Sequence, residues 1–228
     1  MIFVQRLLDD RTGASAAEFA LVLPAALLLL FGVIDVGRYA WQLNEYEKAV
    51  QLGARYAVAT TVVPGQLAGD LAFANLSCNG GPLQYGDTIC ADAMQTIVCV
   101  DGNPAATTIA AACSCPSADG QVCLSGSANN SAFTNIVTRM RVASKRINAN
   151  DVVIEYRGSG IGYYGDPATS LDSANNVIPL PDAAPIVTVK LTNLRYQPIT
   201  LTLVGADVKY PTFSYSLTLE DGDGTVAS

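Results

Sequence analysis

The sequence predicts an α+β protein: a long amino-terminal helix, transmembrane at its start and amphipathic beyond, packed on a carboxy-terminal antiparallel sheet, with a disulfide-rich loop insert between them. Three observations predict it. Sixteen uncharged residues, Phe19 to Ile34, run into a stretch where apolar positions recur at helical spacing. All six cysteines fall between positions 78 and 123. From position 151 the period changes to two, in segments rich in Val, Ile, Thr and Tyr.

Residues 1–13, "MIFVQRLLDDRTG", form a short polar leader in which Arg6 and Arg11 offset Asp9 and Asp10. Residues 14–37 follow as the apolar helix. The run "FALVLPAALLLLFGVI" would span about 24 Å as a helix, a little short of the roughly 30 Å hydrocarbon layer, and Ala14 to Ala17 extend it. Pro24 deprives the carbonyl of Ala20 of its partner, a loss that membrane helices tolerate.

Residues 38–63 continue the helix as a stem. Tyr39, Leu43, Tyr46, Val50, Ala54 and Ala57 recur at steps of four, three, four, four and three, which puts them on one stripe. Arg38, Glu45, Lys48 and Arg55 fall largely off it. Such a stripe needs a cover, and the sheet is expected to lie on residues 39–59. Pro64-Gly65 ends the helix at the latest.

Residues 64–129 read as loop-rich, with turn chemistry at "NGG", "DGNP" and "SADG". The even set Cys78, Cys90, Cys99, Cys113, Cys115 and Cys123 reads as a disulfide framework in an oxidising compartment. A zinc site is the weaker reading, because the chain has neither a CxxC pair nor a histidine. Pairing is left open, except that Cys113 and Cys115 should take different partners, their side chains pointing apart in extended chain.

Residues 130–228 form the head. Phe133, Ile136, Val137, Met140, Val142 and Ile147 predict a second helix over 130–149. "DVVIEYR", "APIVTVKLTNLRYQ" and "FSYSLTLED" predict three strands. In the second, Val187, Val189 and Leu191 make an apolar face, so one antiparallel sheet on a helix is expected. "PITLTLVGADV" is ambiguous between a strand and a helical turn.

Composition narrows function. A net charge of −7 offers nucleic acid no electrostatic footprint. The absence of His removes Ser-His-Asp and Cys-His chemistry. Asp166, Asp172, Asp182, Glu155 and Asp207 share no motif, and "DGDG" lacks the spacing of a calcium loop. No enzyme, no catalytic residue, no cofactor and no metal are expected.

Ser15 followed three residues later by Glu18 makes a helix capping box. That explains a carboxylate at the mouth of the apolar run but not Gly13 or the leader. Nor does "VIDVGRYAW", past the run, supply the small-residue site of a secretory signal.

Gly13 through Phe19, "GASAAEF", resembles the prepilin-peptidase site of the type IV pilin superfamily: Gly before the cut, Glu fifth after it, an aromatic sixth, then an apolar helix. With "AVQLGARYAVA" following, the first 60 residues or so are similar to the TadE-like pseudopilins of tight-adherence (Tad, Flp) pili. The cysteine segment is outside that pattern. The resemblance implies a leader of 1–13, cleavage between Gly13 and Ala14, and a new amine at Ala14 one helical turn from Glu18. Ala14 and Glu18 would then be assembly contacts, Glu18 pairing with its own amine or a neighbour's.

The implied partners are a prepilin peptidase, other Tad pilins and pseudopilins, assembly platform proteins and the inner membrane. The implied place is a single pass through the bacterial inner membrane with the carboxy-terminal domain periplasmic, or extracellular in the pilus. The head is too large for a main shaft subunit, so the implied role is that of a minor pilin in assembly or initiation, with adhesion as a further role. The rival reading is a membrane-anchored periplasmic binding module that never enters pili.

Overall fold

The computed structural model describes residues 14–67, 76–103, 105, 108–116, 122–167, 169–171, 177–179, 184–200 and 208–219. The leader, Gly13, the "DGDG" run and residues 201–207 lie outside them. The described residues fall into two compact units, one within 1–43 and 195–210, the other within 44–194 and 211–228.

Helix α1, Ala14–Val58, contributes to both units, and Pro24 lies inside it without ending it. Its 45 residues make about 68 Å of helix. Arg55 stands in the last turn, where the helix dipole favours a cation. There Ala59 N and Thr60 Oγ1 both donate to the carbonyl of Tyr56, at 3.3 and 2.7 Å, closing the end before Pro64. Because Ser15 is already helical, it cannot be the N-cap of a capping box, whose backbone must be non-helical. That expectation is corrected.

In the first unit, strands β9 (Arg195–Tyr196) and β10 (Val208–Lys209) pair antiparallel. Tyr196 and Tyr210 close on Tyr39 of α1: one ring meets it edge-on at 5.4 Å and the other stacks at 4.8 Å. Tyr210 Oη donates to the buried Gln42 Oε1 at 2.7 Å. The stem at Tyr39 is thus covered by tyrosines of this ribbon rather than by the main sheet.

The second unit holds a five-stranded antiparallel sheet whose strands lie side by side in the order 213–218, 186–191, 152–157, 97–101 and 111–114. Its strands are β3 (Ile97–Asp101), β4 (Ala111–Ser114), β5 (Val152–Arg157), β8 (Ile186–Leu191) and β11 (Phe213–Thr218). Short two-stranded pairs, β1 (Ser77–Cys78) with β2 (Gly81–Pro82) and β6 (Thr169–Leu171) with β7 (Val177–Pro179), complete it. Register aligns Cys99, Ile154, Val189 and Tyr215 in one cross-sheet row, and Ile97, Tyr156, Val187 and Leu217 in the next. The central members of both rows are buried.

The end of α1 packs on the sheet, with Tyr46, Ala49, Val50, Ala54 and Ala57 buried, and α2 (Asn130–Arg141) meets α1 through Met140, with Phe133, Ile136 and Val137 buried beside it in the same core. Small residues set the approach: a Cβ on Gly53 would lie 2.7 Å from Met140 Cγ and 3.2 Å from Val189 Cγ1. Tyr46 meets Phe213 ring to ring at 5.7 Å. Buried Tyr156 accepts from the backbone N–H of Val63 at 3.1 Å, and its burial pushes the phenol above its ordinary pKa. The chain after α1 is thereby tied to the sheet.

Three expectations change. The second helix stops at Arg141, and a 3₁₀ turn over Ala149–Asp151 follows. Val142 is exposed, while Ile147 reaches the core by a different path, its carbonyl accepting from Arg141 Nε at 2.9 Å. The cysteine segment contributes β3 and β4, two strands of the main sheet, where loops were expected. The stretch 184–197 is not one strand: Asn193 takes a positive φ of 60° and the alternation breaks there, leaving Arg195–Tyr196 to pair with β10.

Candidate functional site

From Phe19 to Ile34 α1 is bare. Its large apolar residues there are exposed on every side, Leu21 to 80%. Only 6% of its most apolar window, of mean hydropathy 2.5, is buried. Among the described residues this is one helix long and apolar enough to cross a membrane. A surface apolar all round calls for lipid or for other helices. At Gly32 and Gly37 an added Cβ would meet nothing within 4 Å.

Glu18 sits on this bare surface, exposed, one turn from Ala14 on the same helix. A carboxylate costs about 2.5–3.5 kcal/mol at the bilayer centre unless paired. Phe19 beside it is exposed as well. Gly13 lies outside the described residues.

A second carboxylate on α1 has the opposite environment. Asp35, 2% exposed, is the first charge after the apolar run. Its Oδ2 accepts from the N–H of Thr200 at 2.8 Å, from Thr200 Oγ1 at 2.7 Å and from the N–H of Ile199 at 3.0 Å. Its Oδ1 accepts from Tyr196 Oη at 3.1 Å and from the N–H of Ile199 at 2.9 Å. Arg38 stands 3.8 Å from Oδ1. Beside it a hollow of about 460 Å³ is lined by Gly32, Asp35, Val36, Tyr39, Tyr196 and Val208. Sequence reasoning missed Asp35; the one signal was a lone acid closing an uncharged run.

The six cysteines form three disulfides, Cys78–Cys90, Cys99–Cys113 and Cys115–Cys123. Cys99 and Cys113 face each other in the β3–β4 register, and the neighbours Cys113 and Cys115 do go to different partners. Of the scattered acids, Glu155 pairs with Lys190 Nζ at 2.6 Å, while Asp172, Asp182 and Asp207 lie outside the described residues. Among the described residues no three acids or cysteines are grouped to hold a metal ion.

A helix bare from Phe19 to Ile34 and built into a folded unit beyond defines a class: a disulfide-stapled α+β head carried on an apolar amino-terminal helix. The particular relationship is narrower: residues 13–55 match the family model described as TadE-like protein, and the similarity is confined to that segment. The match covers Gly13, Glu18, the apolar run and most of the stem, and leaves the head outside it. Comparison with curated proteins and with solved structures gives no match.

Proposed function

We propose that this chain is a minor pilin or pseudopilin of a bacterial Tad-type pilus, a structural protein rather than an enzyme, cleaved after Gly13 by a prepilin peptidase. One coincidence carries the reading. The TadE-like match over 13–55 falls on a helix that is bare from Phe19 to Ile34 and buried in the head unit from Tyr46. That is the division a subunit needs when one half of its helix serves as membrane anchor, then fibre core, and the other half holds a head.

Residues 14–37 anchor the chain in the inner membrane, and the head lies in the periplasm until the subunit joins the pilus. Three disulfides support that side, since such bonds persist in oxidising compartments. Cleavage places a cationic amine on Ala14, and the exposed Glu18 neutralises that amine or a neighbour's, fixing axial register among the Tad pilins it joins. The 165 residues beyond position 63, the difference between 228 and 63, suit a role in initiation or assembly, with contact to platform proteins, better than an abundant shaft role.

The test is incorporation. In a piliated strain, Glu18→Ala should be processed and inserted as the parent is, yet be missing from sheared pili on immunoblots. Equal recovery of parent and variant in the pilus fraction contradicts the register role. A parent chain that never leaves the membrane fraction points to a membrane-anchored binding module instead.

A further inference from the structure

We infer that two paired loops of the head, residues 83–91 and 158–165, form a binding surface for a neutral saccharide. The inference rests on the head lying outside the cytoplasm, as proposed above, and not on incorporation into pili.

Tyr85, Ile161 and Tyr163 are 80%, 57% and 54% exposed. A single exposed apolar side chain needs no explanation, but these three stand on loops fastened to each other. Gly86 N donates to Tyr164 O at 2.8 Å, Tyr164 N to Asp87 O at 2.9 Å, and Ile89 N to Gly162 O at 3.0 Å. The Cys78–Cys90 disulfide closes the base of the first loop. Glycine is required along the second: Gly160, Gly162 and Gly165 have positive φ, and a Cβ on Gly165 would run into the Tyr85 ring.

Packing accounts for part of this. Gly165 and Tyr164 brace the Tyr85 ring, Tyr164 at 6.1 Å between centroids. It does not account for Tyr163 and Ile161, held out into water by the same frame. Tyrosine on a Gly/Ser framework offers a large amphipathic contact whose ordering cost is already met.

Charge selects the ligand. Residues 83–91 and 158–165 carry one charge, Asp87, whose Oδ2 accepts from the N–H of Gln84 at 2.8 Å while Oδ1 is left to a ligand hydroxyl, and no Lys or Arg; Arg157 borders the second loop. A polyanion is repelled, whereas hydroxyl groups can donate to carboxylates. Ring faces pack on the C–H faces of a pyranose, which is amphipathic in the same sense as tyrosine. A neutral sugar satisfies both features.

The test uses the purified full chain, disulfides intact, in dimethylamine-oxide micelles, which carry no sugar headgroup. Maltohexaose and fully N-acetylated chitohexaose, both neutral, are titrated calorimetrically, with a sialic acid hexamer as the anionic control. Binding is expected for a neutral hexamer and not for the anionic one. Tyr85→Ala and Tyr163→Ala should each weaken it about tenfold, as truncation of a contact tyrosine does, while Tyr163→Phe stays close to the parent and all melt as the parent does. If Tyr85→Ala unsettles the loop, Tyr163→Ala alone carries the test. No heat from either neutral hexamer up to about 10 mM, beyond the millimolar range of weak sites, overturns the proposal. So does binding unchanged in Tyr163→Ala. Dimerisation lost in that variant would make the surface a protein interface and overturn it too.

Discussion

Tyr196 donates its phenolic hydroxyl to both the backbone carbonyl and the carboxylate of Asp35, at 2.8 and 3.1 Å, across 161 residues of sequence. With the N–H groups of Ile199 and Thr200 and the hydroxyl of Thr200, it completes a cage of donors around one buried acid. The ribbon of β9 and β10 is thereby fixed to α1 directly after the apolar run.

Asp35→Ala removes the shared acceptor of the Tyr196 and Thr200 hydroxyls and of the Ile199 and Thr200 N–H groups, and should loosen the ribbon from α1. Limited proteolysis of the micelle-held chain should show faster cleavage within 195–210 while the main sheet stays protected. Arg38→Ala should matter far less, under about 1 kcal/mol, because Arg38 is 42% exposed and 3.8 Å away. Equal cleavage of Asp35→Ala and parent would contradict the cage.

Gly53 is where α1 comes closest to Met140 and Val189. Gly53→Val inserts bulk with no room and should cost about 1–3 kcal/mol or more, overpacking outweighing the better helix propensity. Adding Met140→Ala should recover part of that loss in a thermal melt. Absence of recovery would place the strain elsewhere.

Non-reducing peptide mapping should return the pairs 78–90, 99–113 and 115–123. Replacing Cys99 and Cys113 by Ala should cost about 3 kcal/mol by loop-closure entropy for a separation of 14 residues. Any link from Cys113 to a partner other than Cys99 contradicts the β3–β4 register.

Helical and strand periods were legible wherever one face meets a large core. The stripe Tyr46, Val50, Ala54 and Ala57 and the face Val187, Val189 and Leu191 are both buried, and neither needs knowledge of its partner to be recognised. The strands at 97–101 and 111–114 were not, being short and flanked by turn residues; their pairing is a tertiary event. The second helix was overextended because Ile147 is buried, though by a turn rather than by helical phase. Of the site, Glu18 stood out as a lone charge in an apolar run. Asp35 did not, because its donors arrive from residues 196–200, and nothing local announces them.

The central claim is that Gly13–Ala14 is a processing site that turns a membrane-held chain into a pilus subunit. Co-expression with a prepilin peptidase, followed by mass spectrometry of the mature amino terminus, tests it most directly. A chain beginning at Ala14, and only when the peptidase is active, is the expected result; an intact Met1 start, or a cut after residue 34 that removes the apolar run, would contradict it.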